Sequence, residues 1–307
     1  MYDLVIVGGG PAGVAAGVYA ARKKIKTLLI AKEFGGQSLV SADIQNWIGV
    51  KSLSGLELAQ RLEEHLRAQE GIEILDGDSA ENVQKLDSTG FRVTAKSGKV
   101  LETKTALICS GSHHKTLGVP GENKLNGKGV VYCSTCDAPL FGGKTVAVVG
   151  AGNAGLEAVR DLFSYASKIY LLVRSDKVKG DPVTLEEVKK NPKLEIKYQA
   201  EVREILGENM VTGVKYLDKA DNQIKELKLD GVFVEIGSAP NSDLVKDLVQ
   251  LDQGGQIMVD SKTQISSLAG IWAAGDVTDV LYKQNNISAG DAVKAVLNIY
   301  DYLNKNK

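Results

Sequence analysis

The sequence predicts an α/β fold in which two units of strand, glycine-rich turn, helix and strand are set one inside the other. Three observations carry this. An apolar run at Tyr2–Val7 ends in Gly8-Gly9-Gly10-Pro11-Ala12-Gly13 and enters a helix of small residues, and the same order recurs from Thr145. Glycine supplies 33 of 307 residues, well above the usual ~7%, so tight turns and close backbone approaches are expected. Two turn-rich segments, Ser110–Lys115 and Gly237–Asn241, each follow an apolar strand, Ala106–Cys109 and Gly231–Ile236. If both are crossings, residues 115–238 form a domain inserted into one made of residues 1–114 and 239–307. A chain of 307 residues suits two such domains.

Taken in order, Tyr2–Val7 reads as a strand, Ala12–Lys23 as a helix and Thr27–Ile30 as the second strand. Ser54–Gln69 has the spacing of an amphipathic helix, and Phe91–Lys104 alternates like antiparallel strands. The second unit runs through the strand Thr145–Val149, Gly150-Ala151-Gly152-Asn153-Ala154-Gly155, a helix to about Phe163 and a strand at Lys168–Val173. A strand at Ile271–Ala274 precedes Gly275-Asp276. A last helix runs from about Ala289 to Leu303, before a short Lys/Asn end at Asn304–Lys307.

Composition excludes several function classes. Lys and Arg total 37 against 38 Asp and Glu, so no basic field is available for nucleic acid or an anionic membrane. No apolar run reaches the ~18 residues of a membrane span. The apolar start carries Asp3, lacks a basic leader and runs into a glycine turn, which makes it a strand and not a signal peptide. Three cysteines do not make a secreted disulfide scaffold, and a cytoplasmic protein is expected.

The chemistry-bearing motifs follow from these elements. Gly8-x-Gly10-x-x-Gly13 follows a strand and opens a helix. Its glycines allow the turn, the approach of a pyrophosphate and close helix packing, and the helix N-terminus faces the phosphates. Glu33, just past the second strand, fits an acidic ribose ligand, or is simply a solvated residue. Gly150, Gly152 and Gly155 repeat the pattern, but the acidic position is Val173, followed by Arg174, Lys177 and Lys179. Two Rossmann-like nucleotide-binding domains are therefore expected, the second inserted into the first. Cys133-Ser134-Thr135-Cys136-Asp137 has the spacing of a redox dithiol. A structural zinc needs four ligands, and with no second Cys pair only His65, His113 and His114 remain; no metal is expected. Asp137 is a candidate proton donor to a leaving thiolate, or a turn carboxylate. Cys109 reads as core. His113 and His114 read as exposed linker residues. Gly35-Gly36-Gln37 would admit a flat ring system, and Gly275-Asp276 resembles the second phosphate and ribityl contact of large flavin-binding folds.

Together these residues resemble the low-molecular-weight thioredoxin reductases over essentially the whole chain. The resemblance runs through Gly8–Gly13, Gly35–Gln37, Asn46-Trp47, Cys133–Asp137, Gly150–Gly155, Ala273–Asp276 and Lys283-Gln284. The chain is also similar to the reductase portion of the flavoprotein component of alkyl hydroperoxide reductase, around Phe34–Gln37 and Tyr282–Gln284. The extra N-terminal thioredoxin-like module of that component is not expected, because the first strand begins at Tyr2. The resemblance implies a homodimer whose two domains rotate, so that the nicotinamide and the dithiol face the flavin in turn. It implies FAD against Gly8, Gly10, Pro11, Ala12, Gly13, Glu33, Gly35, Gly36, Gln37, Asn46, Gly111, Gly275, Asp276, Lys283 and Gln284. It implies NADPH or NADH against Gly150, Gly152, Asn153, Ala154, Gly155, Arg174 and Lys179.

The implied activity passes electrons from NAD(P)H through FAD to a Cys133–Cys136 disulfide, then to a thioredoxin-like or glutaredoxin-like protein disulfide. Cys136 is expected nearer the flavin, with Asp137 as the proton donor. The family's usual His-Arg-Arg-x-x-x-Arg is Val173-Arg174-Ser175-Asp176-Lys177-Val178-Lys179 here, so use of both coenzymes with a modest NADPH preference is expected. The rival readings are a dithiol oxidase using oxygen, a ferredoxin-dependent reductase and a non-catalytic redox-sensing flavoprotein.

Overall fold

A computed structural model of the chain describes residues 1–41, 43–86 and 89–305; Asn306 and Lys307, the tip of the expected polar end, lie outside the described residues. The chain divides into two compact units, one from Met1–Leu39, Ile44–His113 and Ala239–Lys307, the other from Val40–Asp43 and His114–Ser238. It passes between them through Ser112–His114 and Ser238–Pro240, which pair as a two-stranded ribbon.

The first unit is built on a seven-stranded sheet, with Tyr2–Gly9 held in parallel between Thr27–Phe34 and Val100–Ile108. A central parallel strand is covered on both faces, which is why Leu4, Val5 and Ile6 are fully buried without alternation. Phe91–Ala95 does alternate, burying Phe91, Val93 and Ala95, and pairs antiparallel with Val100–Ile108. Ile271–Ala273 adds to the same edge in parallel.

The helix Pro11–Arg22 has proline in its first turn, where the missing N–H costs nothing. Its small residues let it sit between the sheet and the final helix, with Ala16 and Ala20 in one core cluster with Ala292, Ala295 and Val296. Helix Gly55–Arg67 begins with a reciprocal cap: Ser54 Oγ accepts from Glu57 N–H at 3.2 Å, and Glu57 Oε2 accepts from Ser54 N–H at 2.8 Å. The final helix is longer than its sequence pattern, spanning Asn285–Lys305. No helix among the described residues is long and apolar enough to cross a membrane.

The second unit has a five-stranded parallel sheet in the order Leu194–Lys197, Lys168–Leu172, Thr145–Val149, Gly231–Val234, Val130–Val131. Helix Asn153–Leu162 packs Leu156, Val159 and Leu162 on one face. A three-stranded antiparallel meander, Ala200–Gly207, Val211–Asp218 and Gln223–Lys228, was not anticipated; it lays Val202, Val214 and Tyr216 on the other face with Ala147, Val149 and Val232. Phe141 packs edge to face on Phe233, with centroids 4.9 Å apart, in the space a side chain on Gly231 would fill.

Candidate active site

Each glycine turn divides its work among three positions. In the first, Gly8 has a φ of +116° and a Cβ there would lie 2.2 Å from the Cys109 carbonyl oxygen, so the position admits only glycine. Gly10 faces open space, and a Cβ on Gly13 would lie 1.8 Å from the Gly8 carbonyl oxygen. Gly10 thus leaves room for a ligand, whereas Gly13 brings helix and strand together. In the second turn Gly150 has a φ of +129° against the Glu235 carbonyl, Gly152 faces open space, and Gly155 abuts Gly150 at 2.0 Å.

A cavity of 590 Å³ opens over the first turn. Gly8, Gly10, Pro11, Ala12, Glu33, Gly35, Gly36, Gln37, Gly111, Gly275 and Asp276 line it, as the sequence reading placed them together. Glu33 lies within the strand Thr27–Phe34 and not past it; the strand extends because Gly9 pairs with Phe34 across a register shift. Cys109 is buried and lines the same cavity, its thiol pushed up by burial. Gly13, Asn46, Lys283 and Gln284 do not line it. Asn46 Nδ2 donates to Gln284 Oε1 at 3.2 Å, and Lys283 Nζ donates to the Thr278 carbonyl at 2.5 Å.

Asp276 is half-buried, and the loss of water around its carboxyl raises it above the usual range, while Lys283 and the Ser288 hydroxyl pull it back. Gln37 Nε2 donates to Ser112 Oγ at 3.1 Å and reaches Asp276 Oδ2 at 3.5 Å. Asn285 and Ser288 also line the cavity and were missed, because the final helix begins at Asn285 and not at Ala289. Asn285 donates to Ser38 Oγ at 2.9 Å, and Ser288 Oγ donates to Asp276 Oδ1 at 3.2 Å.

The second turn is more open. Gly152, Asn153 and Ala154 are exposed at the start of their helix, whereas Gly155 and Val173 are buried. The basic loop folds back beside the turn, with Lys179 N–H and Gly180 N–H both donating to the Ala151 carbonyl, at 2.8 and 2.9 Å. Asn153 spends its side-chain oxygen on the Asp181 N–H at 2.8 Å. Arg174 is exposed near Glu201, whose carboxyl its charge helps to lower, behind the larger effect of Lys219.

Cys133 and Cys136 form a disulfide, with Cα atoms 5.4 Å apart, across the helix Ser134–Asp137. Cys133 caps that helix, and Asp137 N–H donates to the Cys133 carbonyl at 3.0 Å. Asp137 is 7% exposed, and burial raises it to about 6. Just before the pair, Tyr132 donates to the buried Glu122 at 3.0 Å and stacks on His114 at 5.2 Å. His114 is therefore no free linker residue, and His113 meets Asn241 Oδ1 through Nδ1 at 2.8 Å. Among the described residues no cluster of three or more His, Cys, Asp or Glu is arranged to hold a metal.

Comparison with known proteins agrees with this geometry. The F component of alkyl hydroperoxide reductase in Staphylococcus epidermidis is 41% identical over 305 residues, covering 99% of this chain and 60% of that protein. NADH dehydrogenase of Bacillus subtilis is 39% identical, over 99% of this chain and 59% of its own length. The chain thus spans about 60% of the length of the curated relatives it matches. Thioredoxin reductase from Streptococcus pyogenes superposes with a TM-score of 0.92 at 31% identity, over 99% of both chains. Residues 2–294 match the family model for pyridine nucleotide-disulphide oxidoreductases, and with two glycine turns and a disulfide in place, the chain belongs to the pyridine nucleotide-disulphide oxidoreductase family.

Proposed function

We propose that this chain is a thioredoxin reductase-like flavoprotein that uses NAD(P)H to reduce the disulfide of a small thioredoxin-like or glutaredoxin-like protein. The observation that carries the reading is the Cys133–Cys136 disulfide beside a buried Asp137, in the same unit as the second glycine turn. The cavity of the first unit fits a flavin dinucleotide. Gly10 leaves room for a pyrophosphate, the helix from Pro11 aims its free N–H groups there, and Asp276 offers a half-buried carboxyl on the cavity wall. A bound flavin supplies two-electron transfer between a nicotinamide and a disulfide.

The residues of the second unit do the rest. Gly152, with open space at its α-carbon, and the exposed first turn of Asn153–Leu162 would receive the coenzyme phosphates, and the exposed Arg174 and Lys179 would hold the adenosine ribose end. Asp137, whose carboxyl burial raises to about 6, is close enough to neutral pH to take up a proton and pass it to the sulfur released when the disulfide opens. One sulfur of the reduced pair, as a thiolate, attacks the partner's disulfide, breaking that bond and forming a mixed disulfide; the second cysteine then attacks the sulfur of the first, re-forms the Cys133–Cys136 bond and releases the partner as a dithiol.

The resemblance to the thioredoxin reductase from Streptococcus pyogenes supports this acceptor class. Coenzyme choice is less one-sided. Val173 removes the acidic ribose ligand, and Arg174 and Lys179 suit a 2′-phosphate, while Glu201 beside Arg174 and the relative named NADH dehydrogenase favour NADH. We propose use of both, with a modest preference for NADPH, in a cytoplasmic homodimer.

Anaerobic titration of the purified protein with NADPH and NADH separately, read from the flavin spectrum, tests the proposal. Bleaching by either coenzyme, followed by turnover of a thioredoxin-like disulfide, is expected. No bleaching by either would overturn the nicotinamide role and point to another reductant.

A further inference from the structure

The second nucleotide unit has Val173 where such a unit usually carries its ribose acid, yet an acid reaches that place from another part of the chain. Backbone hydrogen bonds bring three segments together there. Ala200 N–H donates to the Val173 carbonyl and Gln199 N–H to the Ser175 carbonyl, both at 2.9 Å, and Lys219 N–H donates to the Gln199 carbonyl at 2.9 Å. Gln199 turns the corner with a φ of +55°. The loop after the strand Lys168–Leu172, which carries Arg174, thus lies against the start of the meander strand Ala200–Gly207 and the turn after Val211–Asp218.

The side chains continue what the backbone begins. Val202 is buried in the core under the meander, and a bulge at Arg203, where Val202 and Glu204 pair with the consecutive residues Tyr216 and Lys215, re-aims the Arg203 side chain. Glu201 Oε2 forms ion pairs with Lys219 Nζ at 2.7 Å and with Arg203 Nη2 at 3.3 Å. One carboxylate oxygen therefore holds two cations, both partly open to solvent. Asp218, the chain neighbour of Lys219, is already engaged by Lys225 at 2.6 Å. Arg174 stands exposed beside the group. One carboxylate for three cations leaves the group positive, next to the strand end where the adenosine ribose of a bound dinucleotide lies.

We infer that Glu201, Arg203 and Lys219 are specificity-determining residues for the 2′ position of the nicotinamide coenzyme. This rests on the second glycine turn receiving the coenzyme, as proposed above. A coenzyme with a free 2′-hydroxyl leaves both ion pairs intact. A 2′-phosphate must draw Lys219 and Arg203 away from Glu201, and it brings its own negative charge beside that carboxylate. Glu201 is thus a resident competitor of the phosphate, and the two meander cations are phosphate ligands in addition to Arg174. The preference between NADPH and NADH is the small difference between these opposed contributions.

Calorimetric titration of the full-length holoprotein with NADP⁺ and with NAD⁺ tests this, since the oxidised coenzymes bind without hydride transfer. Glu201→Gln keeps the shape of the side chain and removes its charge. It should tighten NADP⁺ about fivefold, the size of one exposed ion pair, and leave NAD⁺ unchanged. Lys219→Met should weaken NADP⁺ by about the same factor, again with NAD⁺ unchanged. The apparent KM for NADPH in flavin reduction should move in the same two directions. A substitution that only loosened the meander would move both coenzymes alike, and that result, or NADP⁺ affinities equal to wild type in both variants, would overturn the inference while leaving the coenzyme site standing. Wild-type protein that binds neither NADP⁺ nor NAD⁺ would overturn both.

Discussion

The two glycine turns share a backbone and differ in what surrounds them. In both, the first glycine takes a positive φ against a carbonyl, the second faces open space and the third presses on the first. Beyond that they diverge. The first helix is buried on most of its circumference, and its turn forms part of the wall of a cavity whose lining includes the end of the second strand and the start of the final helix. The second helix is amphipathic, and its first turn and basic loop lie exposed. The turn itself sets where a pyrophosphate lies; the elements around it set whether the ligand is enclosed or free to exchange. A retained flavin suits the first, and a coenzyme that leaves after each turnover suits the second.

That division can be broken at its most consequential point first. Cys133→Ser and Cys136→Ser should each abolish reduction of a thioredoxin-like disulfide while nicotinamide still bleaches the flavin, because thiol exchange and flavin reduction use different residues. Acceptor turnover near the wild-type rate in either variant would refute a disulfide relay. Next come the two open glycines. Gly10→Leu should yield colourless, folded protein, checked by absorbance and circular dichroism. Gly152→Leu should stay yellow and raise the apparent KM for both coenzymes more than tenfold. Both positions have open space for a side chain, so folding is expected to survive.

Asp137→Asn sharpens the comparison from the side of the proton. Removing a general acid costs about 10²-fold or more, so stopped-flow formation of the dithiol should slow by that order while flavin reduction is unaffected. The same change should stabilise the fold at neutral pH. The folded carboxyl titrates near 6 against 3.8 for the free group, so its contribution to stability is full below pH 3.8 and is lost as pH rises through 6. Asn does not titrate, and urea unfolding should show a gain on the order of 2 kcal/mol at pH 7.5 that vanishes near pH 3.5. The smallest effect belongs to Arg174→Ala, which should raise the KM for NADPH several-fold and leave that for NADH nearly unchanged. Equal losses would show that Arg174 does not read the 2′-phosphate.

What the sequence revealed follows the range of the interactions involved. The glycine turns and the Cys133–Asp137 motif are local: each needs only neighbours within a few residues to define its shape, and each was readable. Asn285 and Ser288 were not, because Asn-Asn-Ile-Ser has weak helix preference and becomes helical against Ser38 and Asp276. Glu33 was placed beyond its strand because the apolar run stops at Ala31, whereas the backbone pairing of Gly9 with Phe34 carries the strand on. The meander from Ala200 to Lys228 was left unread although its strands are regular, because its partly exposed, charge-rich strands carry only a weak apolar alternation.

The bare α-carbon of Gly231 has a mechanical consequence for the sulfurs. The ring of Phe141 sits where its side chain would be, so close that a single added methyl would fall 2.1 Å from Cε1. Phe141 ends the short turn of helix that continues directly from Asp137. The strand Gly231–Val234 therefore serves as a datum from which the redox segment is gauged, and the gauge is a ring resting on backbone. A methyl group at Gly231 would leave both cysteines in the chain and both glycine turns in place, yet lift the platform that fixes how far the disulfide stands from the sheet.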